Sequence, residues 1–94
     1  MNPFLHIILH QIIENQLKER NPIEVFQFFN AMRQNKVSRH EAIHCIATIF
    51  SYLLYGVLKE EHPFDLEKYR SLLKRLKNKK PDKIIPALDK AFHS

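Results

Sequence analysis

Four histidines stand in two pairs of identical spacing, His6 with His10 and His40 with His44, in a chain of 94 residues that holds six histidines altogether. On a helix, an i, i+4 spacing puts both imidazoles of a pair on one face, with Cβ atoms about 6 Å apart, so that both can reach one ion. Random placement of that many histidines gives roughly 0.4 such pairs, so two is an excess. Imidazole suits Zn, Ni, Cu and Fe, and zinc is favoured as the common tetrahedral case. The four rings could supply a site of four histidine ligands, or of three and a water. The second pair raises another chemistry. Residues 40–44 read HEAIH, which fits the H-E-x-x-H pattern in which two histidines hold zinc and the glutamate acts as general base on its bound water.

Peptidase chemistry needs a third ligand, and the chain does not offer one at a workable place. The extended form H-E-x-x-H-x-x-G-x-x-H requires Gly and His where Ala47 and Phe50 stand. Glu60 and Glu61 follow on the same helix, about 24 Å beyond His44 at a rise of 1.5 Å per residue. Glu41 also has a structural occupation, because Ser38 and Glu41 read as a capping box. The expectation is a binding protein with no catalytic residue. Weak hydrolysis remains as a minor branch if a coordination position stays open near Glu41 or Glu14. Glu14, four residues after His10, could serve as a fifth ligand or as an acceptor that orients a ring. The bland alternative is that the histidines are packed rings bonded to carbonyls. Cys45 turns about 100° away from His44 on a helix and reads as inert packing. His62 and His93 have no partner at ligand spacing.

The elements that must position these rings are helices. Asn2-Pro3 and Asn21-Pro22 each read as an N-cap followed by proline at the first helical position. Ser38 and Asp65 supply two more starts, and Pro63 a stop. The apolar spacing between these marks predicts helices over about 3–20, 22–35, 39–61 and 66–78. A fifth is predicted over about 82–92, with its start blurred by Pro86. The predicted fold is an all-α compact bundle of four to five helices in a single domain over residues 1–94. Helix 3 should be the most buried, through Ile43, Ile46, Phe50, Leu53, Leu54 and Val57. Leu5, Leu9, Ile12, Ile13 and Leu17 form a facing stripe on helix 1, and Leu66, Tyr69, Leu72, Leu73 and Leu76 one on helix 4. Short loops favour antiparallel sequential neighbours, so helices 1 and 3 are expected to be parallel, with their N-termini at the same end. The positive end of a helix dipole disfavours imidazolium, so the rings near the two helix starts should stay neutral and able to ligate.

Composition bounds the partners. Hydrophobic residues make up 45% with a single glycine, which is globular rather than disordered. A lone Cys45 suits a reducing, cytoplasmic interior. No apolar run approaches the roughly 20 residues of a membrane span, so no membrane association is expected. The formal charge of +5 resides entirely in residues 65–94. There Lys68, Arg70, Lys74, Arg75, Lys77, Lys79 and Lys80 could meet nucleic acid or another polyanion, or simply form a solvated face. A module for protein or nucleic-acid interaction built on that basic surface is the main rival to the metal site, and a homodimer is a further possible arrangement.

The runs NPFLHIILHQIIENQL, SRHEAIHCIATIF and PFDLEKYRSLLKRL resemble an uncharacterised bacterial family, domain of unknown function 1841. The matching positions are Asn2, Pro3, Leu5, His6, His10, Glu14, Gln16, His40, Glu41, Ala42 and His44. The likeness covers about residues 2–76, and beside other members the chain resembles a form short at its N-terminus. The basic end, KNKKPDKIIPALDKAFHS, lies outside it. The resemblance implies a small helical domain with no assigned activity.

Overall fold

A computed structural model describes residues 3–93. Its helices are α1 (Pro3–Glu19), α2 (Ile23–Gln34), α3 (Arg39–Glu60), α4 (Leu66–Leu76) and α5 (Pro81–His93), and no strand occurs among the described residues. The expected helix at Asn2 has its start at Pro3, and the Asn2 cap itself lies outside the described residues.

Local chemistry explains most boundaries. The Ser38 hydroxyl accepts from Glu41 N–H at 3.1 Å, and Asp65 Oδ1 accepts from Lys68 N–H at 3.0 Å, so each satisfies a first-turn donor that the helix leaves unpaired. Only half of the expected capping box forms, because among the described residues no bond returns from the Glu41 carboxylate to Ser38. The expected Asn21 cap does not form either. The residue flanking α2 is Pro22, in extended conformation and without a side-chain cap, and the turn closes instead through Val25 N–H donating to Pro22 O at 3.1 Å. α3 ends at Glu61, which takes a left-handed conformation (φ 55°) two residues before Pro63. α5 opens on Pro81, whose missing N–H costs nothing in the first turn. It carries Pro86 through its interior on the exposed side, where the carbonyl left without a donor can turn to water.

α3 is the axis of the bundle, and each of the other four helices packs on it. Its wholly buried side chains are Ala42, Ile43, Cys45, Ile46, Ala47, Ile49 and Leu53. Phe50, Leu54 and Val57, expected in the core, are only half-buried, because the buried arc follows the 42-46-49-53 row. α3 is also long and apolar enough to cross a membrane by length and composition. The same apolarity is what a helix surrounded by its neighbours requires. Leu9 and Ile13 of α1, Val25, Phe28 and Met32 of α2, Tyr69, Leu72, Leu73 and Leu76 of α4, and Ile84 and Leu88 of α5 complete one core. α5, beyond the span of the resemblance, is therefore part of the core through Ile84 and Leu88. Leu5 and Leu66, expected in the core, stand 43% and 49% exposed.

One buried charge ties the frame. Glu24 is 4% exposed and accepts from Arg70 Nε at 3.1 Å and Nη2 at 3.0 Å, with Lys74 Nζ at 3.8 Å. This forked pair locks α2 to α4, and its hydrogen bonds hold the Glu24 carboxyl below the usual range against the opposing effect of burial.

The relative direction of α1 and α3 reverses the parallel arrangement expected. Along α1, Leu5 and Leu9 share a groove with residues from Ser51 to Glu60, His6 meets His44, His10 meets His44 and His40, and Glu14 meets Arg39. As one helix advances the other retreats. The corners are compatible with this direction. α2 has 12 residues, about 18 Å of helix, and is entered and left through residues of positive φ, Arg20 (53°) and Lys36 (64°). Such corners turn the chain sharply without imposing an antiparallel return.

Candidate metal centre

The reversed direction leaves the histidine pairs facing each other. His6 sits opposite His44, and His10 opposite His40, with ring centroids 6.1 and 5.7 Å apart. His10 occupies the middle, its ring 4.2 Å from His6 and 6.1 Å from His44. One nitrogen each from His6, His10 and His44 lies within 4.8 Å of the others. On a tetrahedral zinc with bonds of about 2.0–2.1 Å, neighbouring nitrogens stand about 3.3 Å apart, so small side-chain rotations close the set. His40 touches the cluster through His10 but is not among those three.

Two features distinguish this cluster from packed histidines. Among the described residues His10 Nε2 has no hydrogen-bond partner, and it is shut off from solvent, whereas buried polar atoms are almost always paired. His6, His10 and His44 also line a cavity of about 20 Å³ with Leu9, Ala47, Thr48 and Ser51. One or two water-sized occupants fit in such a space, each needing roughly 10–15 Å³. His10 is held neutral: burial lowers its pKa first, and the neighbouring His6, His40 and His44 lower it further, against an opposing pull from Glu14. A neutral ring is the ligating form.

Glu14 serves another partner. Its carboxylate accepts from Arg39 Nη1 at 2.8 Å and Nη2 at 2.6 Å, a forked pair across α1 and α3 that holds its pKa below the usual range. Neither oxygen bonds a histidine ring among the described residues, and its influence on His10 is through space. Glu41 lines a separate cavity with Asn35, Val37, Lys79 and Pro81, away from the histidines. Cys45 is buried, and burial pushes its thiol up to about 11. His62 lies elsewhere, with Nδ1 2.9 Å from Pro63 O, and the side chain of His93 lies outside the described residues.

The residues 1–75 match the family described as Domain of unknown function (DUF1841). The chain belongs to the DUF1841 family. That span covers α1, α2, α3 and nearly all of α4, so all four clustered histidines lie inside it and α5 falls outside. Neither the curated proteins nor the solved structures hold a match to this DUF1841 chain.

The basic surface is partly committed to structure. Arg70 and Lys74 serve Glu24, and the Lys68 ammonium lies 4.2 Å from the centroid of Phe92. Among the described residues, Arg75, Lys77, Lys79 and Lys80 enter no ion pair, and all but the half-buried Lys77 are exposed. Sequence reasoning passed over Thr48 and Ser51. They follow His44 at i+4 and i+7, the spacing of one helix face, and that spacing was the available signal.

Proposed function

We propose that this DUF1841 protein binds one transition-metal ion, zinc first among the candidates, between α1 and α3 through His6, His10 and His44, with His40 alongside. The observation that carries the reading is the gathering of three imidazole nitrogens at His6, His10 and His44, with the buried Nε2 of His10 lacking a partner among the described residues. The ion would clip two helices of a small core, and its binding free energy would add directly to folding. The direction of Glu41, away from the cluster, supports a binding role over a peptidase. The single unpaired cysteine supports placement in a reducing cell interior.

Elemental analysis of untagged protein tests this, with wild type compared with the His6→Ala/His44→Ala double variant. Near-stoichiometric metal in wild type, lost in the variant, is the expected result. Metal-free wild type that takes up no added Zn, Ni, Cu or Co would remove the reading. A second reading, polyanion binding, has its support in four cations around the α4–α5 corner that enter no ion pair among the described residues. Its signature is binding to generic duplex DNA that weakens steeply between about 50 and 200 mM salt.

A further inference from the structure

The small, mostly apolar cavity beside the histidines also has two hydroxyl residues in its lining. Of its seven lining residues, Thr48 and Ser51 are the two that carry hydroxyls. The Thr48 hydroxyl donates to His44 O at 2.8 Å, and the Ser51 hydroxyl donates to Thr48 O at 2.8 Å. Each hydroxyl has one proton, and each proton is spent on the backbone of α3. What remains on both oxygens is lone pairs, so an occupant of the cavity meets them only as acceptors. Two acceptors beside three nitrogen ligands match one kind of neighbour, a small metal-bound molecule with two protons to give.

The position of His40 points the same way. The cavity extends along α3 from His44 toward Ser51, and His40 lies one turn in the other direction, absent from its lining. A fourth histidine ligand would approach from the side opposite the hydroxyls and leave the cavity without a function. Resting on the metal-binding reading, we infer that the ion has three histidine ligands and an exchangeable water as its fourth. Thr48 Oγ1 and Ser51 Oγ accept hydrogen bonds from that water. The ion then still joins α1 to α3, and it also keeps an open Lewis-acid position that takes water-sized ligands.

Apo-protein loaded with Co(II) tests this, because the visible bands of cobalt report its coordination and azide can be titrated against them. Azide binds metals but has no proton to donate, so in wild type it must displace a water held by two hydrogen bonds. The Thr48→Val/Ser51→Ala variant removes those bonds at two half-buried positions, and circular dichroism checks its fold. The expected result is one Co(II) per chain, bands that shift with azide, and azide binding tighter in the variant by about fivefold for each hydroxyl removed. His40→Gln should keep both the Co(II) stoichiometry and the azide response. Bands that ignore azide in wild type and respond in His40→Gln would establish four histidine ligands, overturning the water while leaving metal binding intact. Azide affinity equal in wild type and the double variant would overturn the role of the hydroxyls. Failure to bind Co(II) at all would overturn the metal reading itself, and this inference with it.

Discussion

Replacing His10 by leucine should stabilise the metal-free protein, which is the reverse of what a core substitution normally does. The wild-type ring holds Nε2 away from water with no partner, and a buried unpaired polar atom costs about 1–3 kcal/mol. Leucine removes that atom. Fitting a branched chain where a flat ring stood costs less than about 1.5 kcal/mol. The net expectation in EDTA at pH 8 is a gain of about 1 kcal/mol, a rise in Tm of about 4–8 °C for a domain of this size. The gap should widen in mild acid. The folded-state pKa of His10 lies below its ordinary 6.5, so the unfolded chain takes up a proton that the folded chain resists. Wild type therefore loses stability as pH falls below 6.5, while the leucine variant lacks that loss. Zinc should invert the order: at a hundredfold excess over its dissociation constant it adds about 2.7 kcal/mol to whichever form binds it. Thermal unfolding followed by circular dichroism, with EDTA and with zinc, measures all of this. A variant less stable than wild type by more than about 1 kcal/mol in EDTA at pH 8 would mean that His10 is a satisfied structural ring, and the argument would fail.

Three further outcomes follow from the same geometry. Excess zinc should raise the Tm of wild type and of His40→Gln by comparable amounts but barely move His44→Gln, which lacks one of the three gathered nitrogens; equal shifts in all three proteins would refute the assignment. Glu24→Gln should lower the urea midpoint at pH 7, and the difference should shrink toward pH 3. The folded pKa of Glu24 lies below 4.5, so its contribution is full above that value and is lost as pH falls through the folded pKa. A difference independent of pH would assign the loss to packing. Cys45 should resist a disulfide reagent at pH 8 in the folded protein and react at once in denaturant, since burial holds its thiol near about 11; rapid labelling of the native chain would contradict its burial.

Helix positions and types were legible because their causes are local. Ser38 and Asp65 cap within one turn, Pro63 stops what precedes it, and the apolar period runs through each segment without long-range help. Asn21 shows the limit of this: its cap depended on how the chain turned into α2, and there the turn closes through backbone alone. Glu14 shows another. Its spacing from His10 suggested a fifth ligand or an acceptor for a ring, but Arg39, remote in sequence, takes both of its oxygens.

Local spacing and capping alone pointed to four or five helices and to two histidine pairs able to meet. An i, i+4 pair has the same spacing read from either end, so His6 and His10 can face His40 and His44 whichever way the helices run. Tertiary structure decided the rest. α1 runs against α3, with His6 opposite His44 and Glu14 opposite Arg39, and that direction placed His6, His10 and His44 together while His40 stayed beside His10. It also opened the cavity toward Thr48 and Ser51. Helical spacing shows which side chains share a face. Only the packing of one face on another decides which atoms converge, because a reversal of direction that leaves every local hydrogen bond intact exchanges one set of neighbours for another.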